Sequence, residues 1–381
     1  MNRSHVEQIA DAVLYEGYLL YPYRLSTMKN QQRWNFGVLT PKSYSETQGG
    51  TENWTMQTEC LIESNAAATI NLKVRFLQLV TRDVQRVSDD GSLPTAGCEY
   101  GEIKSPVSSF HRSTVPSVNV NGQLLQTRQE AIERDVQLPD VALADPGAHS
   151  CRKPFSFPQV KIVEPLIDDV SGETVAVIVR SQQAIEGAIE VQIEDLEIPF
   201  RETEDAAANE LDRRSLRKFT VRILNLTPFE DAAQQGRDQA LMRSFVSTHT
   251  ILRLRQGEFV SLLDPPALFR EAAGNCNNVG TYPVLAGEEG RRDFMLSSPI
   301  ILYDYPQIAP ESAGELFDGT EIDEILTLRI MTLTEAEKEE IRQGDERARR
   351  ILGRTETMGP EQFMKLHGVL RRPRAFGDEP V

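Results

Sequence analysis

The chain has 381 residues, 40% of them hydrophobic and 26% charged, and its 57 acidic and 41 basic residues give a net charge of −16. This length and composition predict a globular protein with a buried core and exclude a wholly disordered chain. A negative chain repels nucleic-acid phosphates and anionic lipid headgroups, so the charge argues against a protein that binds nucleic acid or a membrane surface.

Sequence signals for a membrane or secreted protein are absent. No run approaches the roughly 18 uninterrupted apolar residues of a spanning helix. The N-terminus lacks the basic start, apolar stretch and cleavage site of a signal peptide. The four cysteines are far apart and form no CxxC pair, unlike a secreted disulfide framework; they are Cys60, Cys98, Cys151 and Cys276. We therefore expect a cytoplasmic protein with reduced thiols and no membrane insertion.

The N-terminal residues predict a helix. Ser4 and Glu7 form a capping box, and Gly17 is a natural stop. The apolar residues that would share one buried face of this helix are Ile9, Ala10, Val13 and Leu14.

A tyrosine-rich segment follows, and Pro22 within it favours an extended chain. Such a patch is usually core or a structural clamp, but tyrosine and arginine together are also typical anchors of protein–protein interfaces. The candidate partner-binding residues here are Tyr15, Tyr18, Tyr21, Tyr23 and Arg24.

Alternating apolar residues predict strands in two regions. Residues 54–87 are predicted to form two strands. The second region holds short strands separated by polar segments, which favours an antiparallel arrangement over βαβ units; its predicted strands lie at 175–179, 189–193, 219–226 and 250–254, with a last one at 326–330.

These segments predict an α+β protein that is mainly antiparallel β and sandwich-like, with an N-terminal helix and a C-terminal helical cluster. Thr334 with Glu337 makes the capping box at which that cluster begins. The predicted parts are an N-terminal helix with β strands (1–87), an irregular excursion (88–159), a β-rich sandwich-like region (160–333) and a helical tail (334–381).

Motifs for common chemistry are missing. The chain has no GxxxxGK[ST], no GxGxxG and no GxSxG string, so the sequence predicts no catalytic, cofactor-binding or metal-binding residues. His149 and Cys151 could share one metal ion, but two ligands are not a site. Cys276 lies in an Asn- and Gly-rich loop and is the single candidate nucleophile. A thiol- or metal-dependent enzyme or metal carrier using these residues stays an alternative.

An acidic turn precedes the last predicted strand. It lacks the spacing of a calcium loop, and Ile322 sits among the acids, so a solvated turn or a partner-docking edge accounts for it better. The candidate partner-binding residues in this turn are Asp318, Glu321 and Asp323.

Two parts of the chain resemble a known group of proteins. They are Tyr15 to Arg24 (YEGYLLYPYR), continued by Arg33 to Gly37 (RWNFG), and Leu316 to Arg329 (LFDGTEIDEILTLR). They resemble uncharacterised accessory proteins encoded beside high-affinity uptake nickel–iron hydrogenases in soil bacteria. The resemblance brings no catalytic residues with it and implies an accessory, assembly or maturation role in a hydrogenase system.

The sequence therefore favours a non-enzymatic accessory or scaffold protein that acts through protein–protein interaction. The implied partner is a hydrogenase subunit or a maturation factor, and no cofactor is expected. A structural subunit of a larger particle is a second alternative, and it predicts a defined homo-oligomer in solution.

Overall fold

A computed structural model describes residues 5–15, 35–87, 97–100, 112–143, 150–197 and 215–307, together with single positions between 334 and 357. Four α-helices and a 3₁₀ turn lie in the described ranges up to residue 307: α1 (His5–Tyr15), α2 (Lys42–Thr47), α3 (Arg237–Leu241), the 3₁₀ turn (Ala267–Phe269) and α4 (Arg270–Gly274).

The described residues also form fourteen strands. They are β1 (Thr55–Val87), β2 (Gly97–Tyr100), β3 (Arg112–Val115), β4 (Ser117–Val120), β5 (Gln123–Gln126), β6 (Arg128–Ala142), β7 (Ser150–Phe157), β8 (Val160–Ile167), β9 (Thr174–Gln182), β10 (Ile185–Leu196), β11 (Ser215–Asn225), β12 (Val246–Phe259), β13 (Tyr282–Ala286) and β14 (Phe294–Ser298).

The 33-residue strand β1 organises the main sheet. It pairs antiparallel with β11 near its start, with β12 and β6 along its middle, and with β9 and β3 at its end. Every strand pair in the described residues is antiparallel, which confirms the predicted mainly antiparallel β architecture. The prediction of two strands between 54 and 87 is wrong, because one continuous strand covers this range. A bulge interrupts its pairing with β12 between Ser64 and Thr69.

At this bulge the sheet divides into two branches. Before it, the neighbour of β1 on one side is β11, which continues to β10 and β7. After it, β1 pairs with β6. Buried side chains from both branches belong to one hydrophobic core, which includes Val136 of β6, Ile189 of β10 and Phe219 of β11.

Four phenylalanines pack against one another in this core. The ring of Phe76 lies 4.6 Å from that of Phe245 and 6.0 Å from that of Phe155, measured between centroids, and Phe157 completes the group at 6.1 Å from Phe76. Aromatic rings bury large apolar areas, so this group contributes strongly to the stability of the sheet.

Helix α1 confirms the predicted N-terminal helix. Its apolar face is buried at all four predicted positions, Ile9, Ala10, Val13 and Leu14. The helix packs on β12, β14 and β1. Arg75 of β1 forms a 2.7 Å ion pair with Asp11, which ties the polar edge of the helix to the sheet.

Residues 88–159 were expected to be irregular, and the described part of this range contradicts that expectation. Strands β2 to β7 lie within it. Asn121 and Gly122 form the turn of the β4–β5 hairpin with φ angles of 54° and 79°, the left-handed conformation of a two-residue hairpin turn. Four of these strands have only four residues, and most of the six pair with distant segments, so local sequence pattern identified them poorly.

The later strands were predicted better. The segments at 175–179, 189–193, 219–226 and 250–254 correspond to β9, β10, β11 and β12. The predicted strand at 326–330 lies outside the described residues. In the tail, Glu335, Lys338, Arg342, Leu352, Gly353, Glu356 and Thr357 are helical. Most of the predicted helical cluster is outside the described part, so it stays a prediction.

The chain divides into two compact units. One contains residues 1–19 and 34–307, and the other contains 20–33 and 308–381. The boundaries predicted at 87 and 159 fall within the first unit. Strand β1, which ends at Val87, pairs with β6 before residue 159 and with β9 after it. In the residues that the structure covers, no helix is long and apolar enough to cross a membrane.

Candidate functional site

The residues predicted to bind a partner lie mostly outside the described ranges. Tyr15 ends α1, but its side chain is not described. The other candidate partner-binding residues lie entirely outside the described ranges: Tyr18, Tyr21, Tyr23, Arg24, Asp318, Glu321 and Asp323. Their partner-binding role stays a prediction.

Cys276, the candidate nucleophile, lies just after α4. Its thiol donates a 3.6 Å hydrogen bond to the carbonyl oxygen of Ala272. Burial raises the pKa of this thiol to about 11, and the negative charge of Glu59 adds to the effect. The thiolate is the reactive form of cysteine, so a thiol that stays protonated at neutral pH is a poor nucleophile.

Cys151, the other candidate cysteine, lies on β7 opposite Val191 of β10. Its side chain packs against the main core, and burial raises the pKa of its thiol. His149 is outside the described residues. Within the described ranges, no group of three or more His, Cys, Asp and Glu residues is arranged to hold a metal ion.

His249 is fully buried in β12, opposite Arg75 of β1. Its Nδ1 lies 2.9 Å from the carbonyl oxygen of Ser247, and its Nε2 has no hydrogen-bond partner among the residues that the structure describes. Burial lowers the pKa of the imidazole to about 3, because a charged ring would be desolvated there. This histidine is therefore neutral at physiological pH.

A polar row crosses four neighbouring strands on the face of the sheet opposite the core. The register places Gln57 of β1 opposite Arg222 of β11, Arg222 opposite Glu190 of β10, and Glu190 opposite Arg152 of β7. Residues in direct register on adjacent strands point to the same side of a sheet, so these four side chains form one row.

The guanidinium of Arg222 is the least compensated charge in this row. Its Nε donates a 2.6 Å hydrogen bond to Oε1 of Gln57, a neutral acceptor. Glu190 instead pairs with Arg152 at 3.5 Å. Among the described residues, no carboxylate oxygen forms an ion pair with Arg222, and its side chain is partly exposed.

This row lines a groove of about 560 Å³. Apolar side chains lie beside the charged ones, with Leu224 and Leu226 on the floor. At one end, the Lys42 ammonium sits 4.8 Å from the centroid of the Trp54 ring. The remaining lining residues are Thr55, Asn277 and Val279.

The wall formed by residues 277–279 is fixed to β1. Gln57 and Val279 exchange two backbone hydrogen bonds of 3.1 and 2.9 Å. The side-chain amide of Gln57 donates to the carbonyl oxygen of Asn277 at 2.9 Å. The backbone N–H of Asn277 donates to the buried carboxylate of Glu59 at 2.8 Å. These hydrogen bonds hold the wall of the groove in place without a bound ligand.

A second cavity, of about 380 Å³, lies beside α1 and differs in its electrostatics. Its charges largely neutralise one another: Arg75 pairs with Asp11 at 2.7 Å and Lys73 pairs with Asp135 at 3.6 Å. Glu7, Glu133 and Arg134 complete its lining. We therefore regard this cavity as part of the contact that holds α1, and the groove as the candidate functional site.

Sequence reasoning missed the groove. Its residues come from six separate stretches of the chain, and only the strand register brings them together. One signal was available: Arg222 is a charged residue between Val221 and Ile223 in a predicted strand, which places it on the solvent side of a half-buried strand. That pattern could locate the face but not its neighbours.

Comparisons with known proteins give little further information. No protein-family model matches the chain, and no curated protein matches it. Among solved structures, the T2SS secretin XcpQ from Pseudomonas aeruginosa is similar at 12% identity and a TM-score of 0.11, over 56% of this chain. The match spans 62% of the length of that chain, and its TM-score is too low to support an argument about fold or function.

Proposed function

We propose that this protein is a non-enzymatic accessory or scaffold protein that binds a protein partner in the groove defined by Gln57, Arg222, Glu190 and Arg152. The resemblance of the chain to proteins encoded beside nickel–iron hydrogenases supplies the biological setting. In that setting the partner is a hydrogenase subunit or a maturation factor, and the protein acts in the cytoplasm.

One observation supports this proposal above the others: the groove combines anchor-type side chains with a rigid scaffold. Tryptophan and arginine dominate the binding energy of protein interfaces, and the groove presents Trp54, Arg152 and Arg222 around an apolar floor. Its wall is held by the hydrogen bonds of Gln57 and Glu59. Binding a partner would therefore cost little conformational entropy in this part of the protein.

The proposal extends to regions beyond the groove. The tyrosine-rich segment (15–24) and the acidic turn (318–324) are proposed as further partner contacts. A sandwich-like packing of the β-rich region and a helical cluster in the tail would provide the scaffold for these surfaces.

Affinity purification from the native cell tests the proposal. The tagged chain is compared with Arg222→Glu, which reverses the charge at the groove, and with Arg292→Glu, which reverses an exposed charge outside the groove lining. We expect the wild type and Arg292→Glu to co-purify the same partner, and Arg222→Glu to lose it. Recovery of all three chains alone, or of the same partner with all three, would contradict the proposal.

A further inference from the structure

We infer that the groove binds an extended, acidic segment of its partner, with two carboxylates separated by two residues and an apolar side chain next to them. This inference rests on the proposed function and adds the chemical class of the ligand. Three features of the groove carry it: its charge excess, the spacing of its arginines, and its apolar floor.

The charge of the groove is opposite to that of the whole chain. Three cationic side chains, Lys42, Arg152 and Arg222, line it, against one carboxylate, Glu190. The chain as a whole carries a net charge of −16. An acidic segment would therefore be attracted to this place and repelled by much of the remaining surface, which favours one docking position over others.

The register fixes the spacing of the two arginines. Arg222 and Arg152 lie on β11 and β7, with β10 between them. Neighbouring strands are about 4.8 Å apart, so the two positions are separated by about 10 Å. A peptide in the extended polyproline II conformation has three residues per turn and advances about 3.1 Å per residue, so its carboxylates at i and i+3 lie on the same side, about 9 Å apart, which matches this separation when the peptide crosses the strands.

The carboxylate of Glu190 disfavours a ligand carboxylate at the centre of the groove. It lies between the two arginines in the row and is partly exposed. A carboxylate placed directly over it would be repelled, because like charges in contact are unfavourable. The two residues between the ligand carboxylates should therefore be neutral.

The apolar floor accommodates the side chain beside the carboxylates. Leu224, Leu226 and Val279 line the groove along with the Trp54 ring. Lys42 covers Trp54 and lies outside the row that contains Arg222 and Arg152. We therefore assign the two carboxylates to Arg222 and Arg152, and the apolar residue to the Leu224 end.

Peptide binding to the full-length protein tests this assignment. The probe is a fluorescein-labelled peptide with a Glu-Ser-Ser-Glu core followed by Leu, and binding is followed by fluorescence anisotropy at low salt. The comparison peptides carry Gln-Ser-Ser-Gln, or Glu-Glu-Glu-Glu in place of the core. The protein variants are Arg222→Gln, Arg152→Gln, Glu190→Gln and the control Arg292→Gln.

We expect the Gln peptide to bind at least tenfold more weakly than the Glu-Ser-Ser-Glu peptide. Arg222→Gln should weaken the acidic peptide at least fivefold, and Arg292→Gln less than twofold. Glu190→Gln should improve binding of the all-Glu peptide more than that of the Glu-Ser-Ser-Glu peptide. Equal affinities for the Glu and Gln peptides, or an Arg222→Gln variant that binds like the wild type, would overturn the inference.

The two experiments separate this inference from the proposed function. If Arg222→Glu loses the cellular partner while the wild type discriminates no acidic peptide, the groove is a partner site and its acidic specificity is wrong. If the cellular partner proves to contact the groove through a segment without acidic residues, the inference is likewise overturned while the proposed function stands.

Discussion

Two adjacent rows of the same four strands have opposite character. The row toward the core contains Thr58, Val221, Val191 and Cys151, and the first three have 1% of their surface exposed. The next row along each strand turns outward and contains Gln57, Arg222, Glu190 and Arg152. One residue of strand alternation separates a row that holds the fold from a row that can recognise a ligand.

From this contrast we expect stability and binding to be separable in this region. Substitutions toward the core remove apolar contacts or introduce clashes. Substitutions in the outer row change charge at a surface whose backbone bonds are already made. We expect the largest effects on the free energy of unfolding for the core row and the smallest for the outer row.

Phe219 is the core-facing residue whose truncation should cost most. It is fully buried in β11. Phe219→Ala leaves a cavity that the surrounding strands fill poorly, so we expect a loss of about 3–5 kcal/mol in the free energy of unfolding. Urea unfolding followed by circular dichroism measures it. A loss below about 1 kcal/mol would show that the core row does not hold the sheet.

Gly187 of β10 tests how tightly the core side is packed. A Cβ atom there would lie 2.4 Å from the Phe155 ring and 2.8 Å from the carbonyl oxygen of Leu224. We expect Gly187→Ala to cost about 1–3 kcal/mol, because neither neighbour can move away without repacking.

The matched control for this substitution is Gly274→Ala, since no atom from another part of the described chain lies within 4 Å of a Cβ at position 274. Thermal unfolding compares the two variants. Equal unfolding midpoints would show that the core side has room that the structure does not indicate.

His249 predicts a pH dependence of stability beside the Arg75–Asp11 contact. The folded-state pKa of the imidazole is lowered to about 3 from its ordinary value of 6.5, so unfolding takes up a proton between these pH values. The full contribution is present above pH 6.5 and is lost as the pH falls toward 3. Between pH 7 and pH 5 the loss is on the order of 2 kcal/mol.

His249→Asn removes this titration while it keeps a hydrogen-bond donor near the position of Nδ1. Urea unfolding from pH 5 to pH 7 should show a flatter stability curve for the variant than for the wild type. Parallel curves would mean that the imidazole is already charged, or solvated, in the folded protein.

Arg222→Gln should have the smallest effect on folding. The side chain is partly exposed and donates a hydrogen bond to Gln57. Because surface substitutions of this kind have small effects, we expect the free energy of unfolding to change by less than about 0.5 kcal/mol. Urea unfolding checks this value. A loss comparable with that of Phe219→Ala would make Arg222 a residue of the fold and remove the separation between the two rows.

The sequence predicted the elements whose pattern is local. Alternation identified β10, β11 and β12, and the capping box with its apolar face identified α1. The pairing of β1 with five other strands was not predictable in the same way, because those partners are distant along the chain and only their register defines them.

The groove was not predictable from the sequence for the same reason. Arg222 and Glu190 are ordinary strand residues when each is considered alone, and their opposition depends on the β10–β11 register. Asn277 and Val279 reach the groove from the connection between α4 and β13, for which strand alternation predicts no position. The groove could therefore be inferred only from the folded structure.

Site-specific photocrosslinking in the native cell tests most directly whether a partner occupies the groove. A photoreactive phenylalanine analogue replaces Leu226, which lines the groove, or Val170, which is 96% exposed and lies outside the groove lining. We predict a defined protein adduct at position 226 that is absent at position 170. Absence of any adduct at 226, or the same adduct at both positions, would contradict the assignment of the groove as the partner-binding surface.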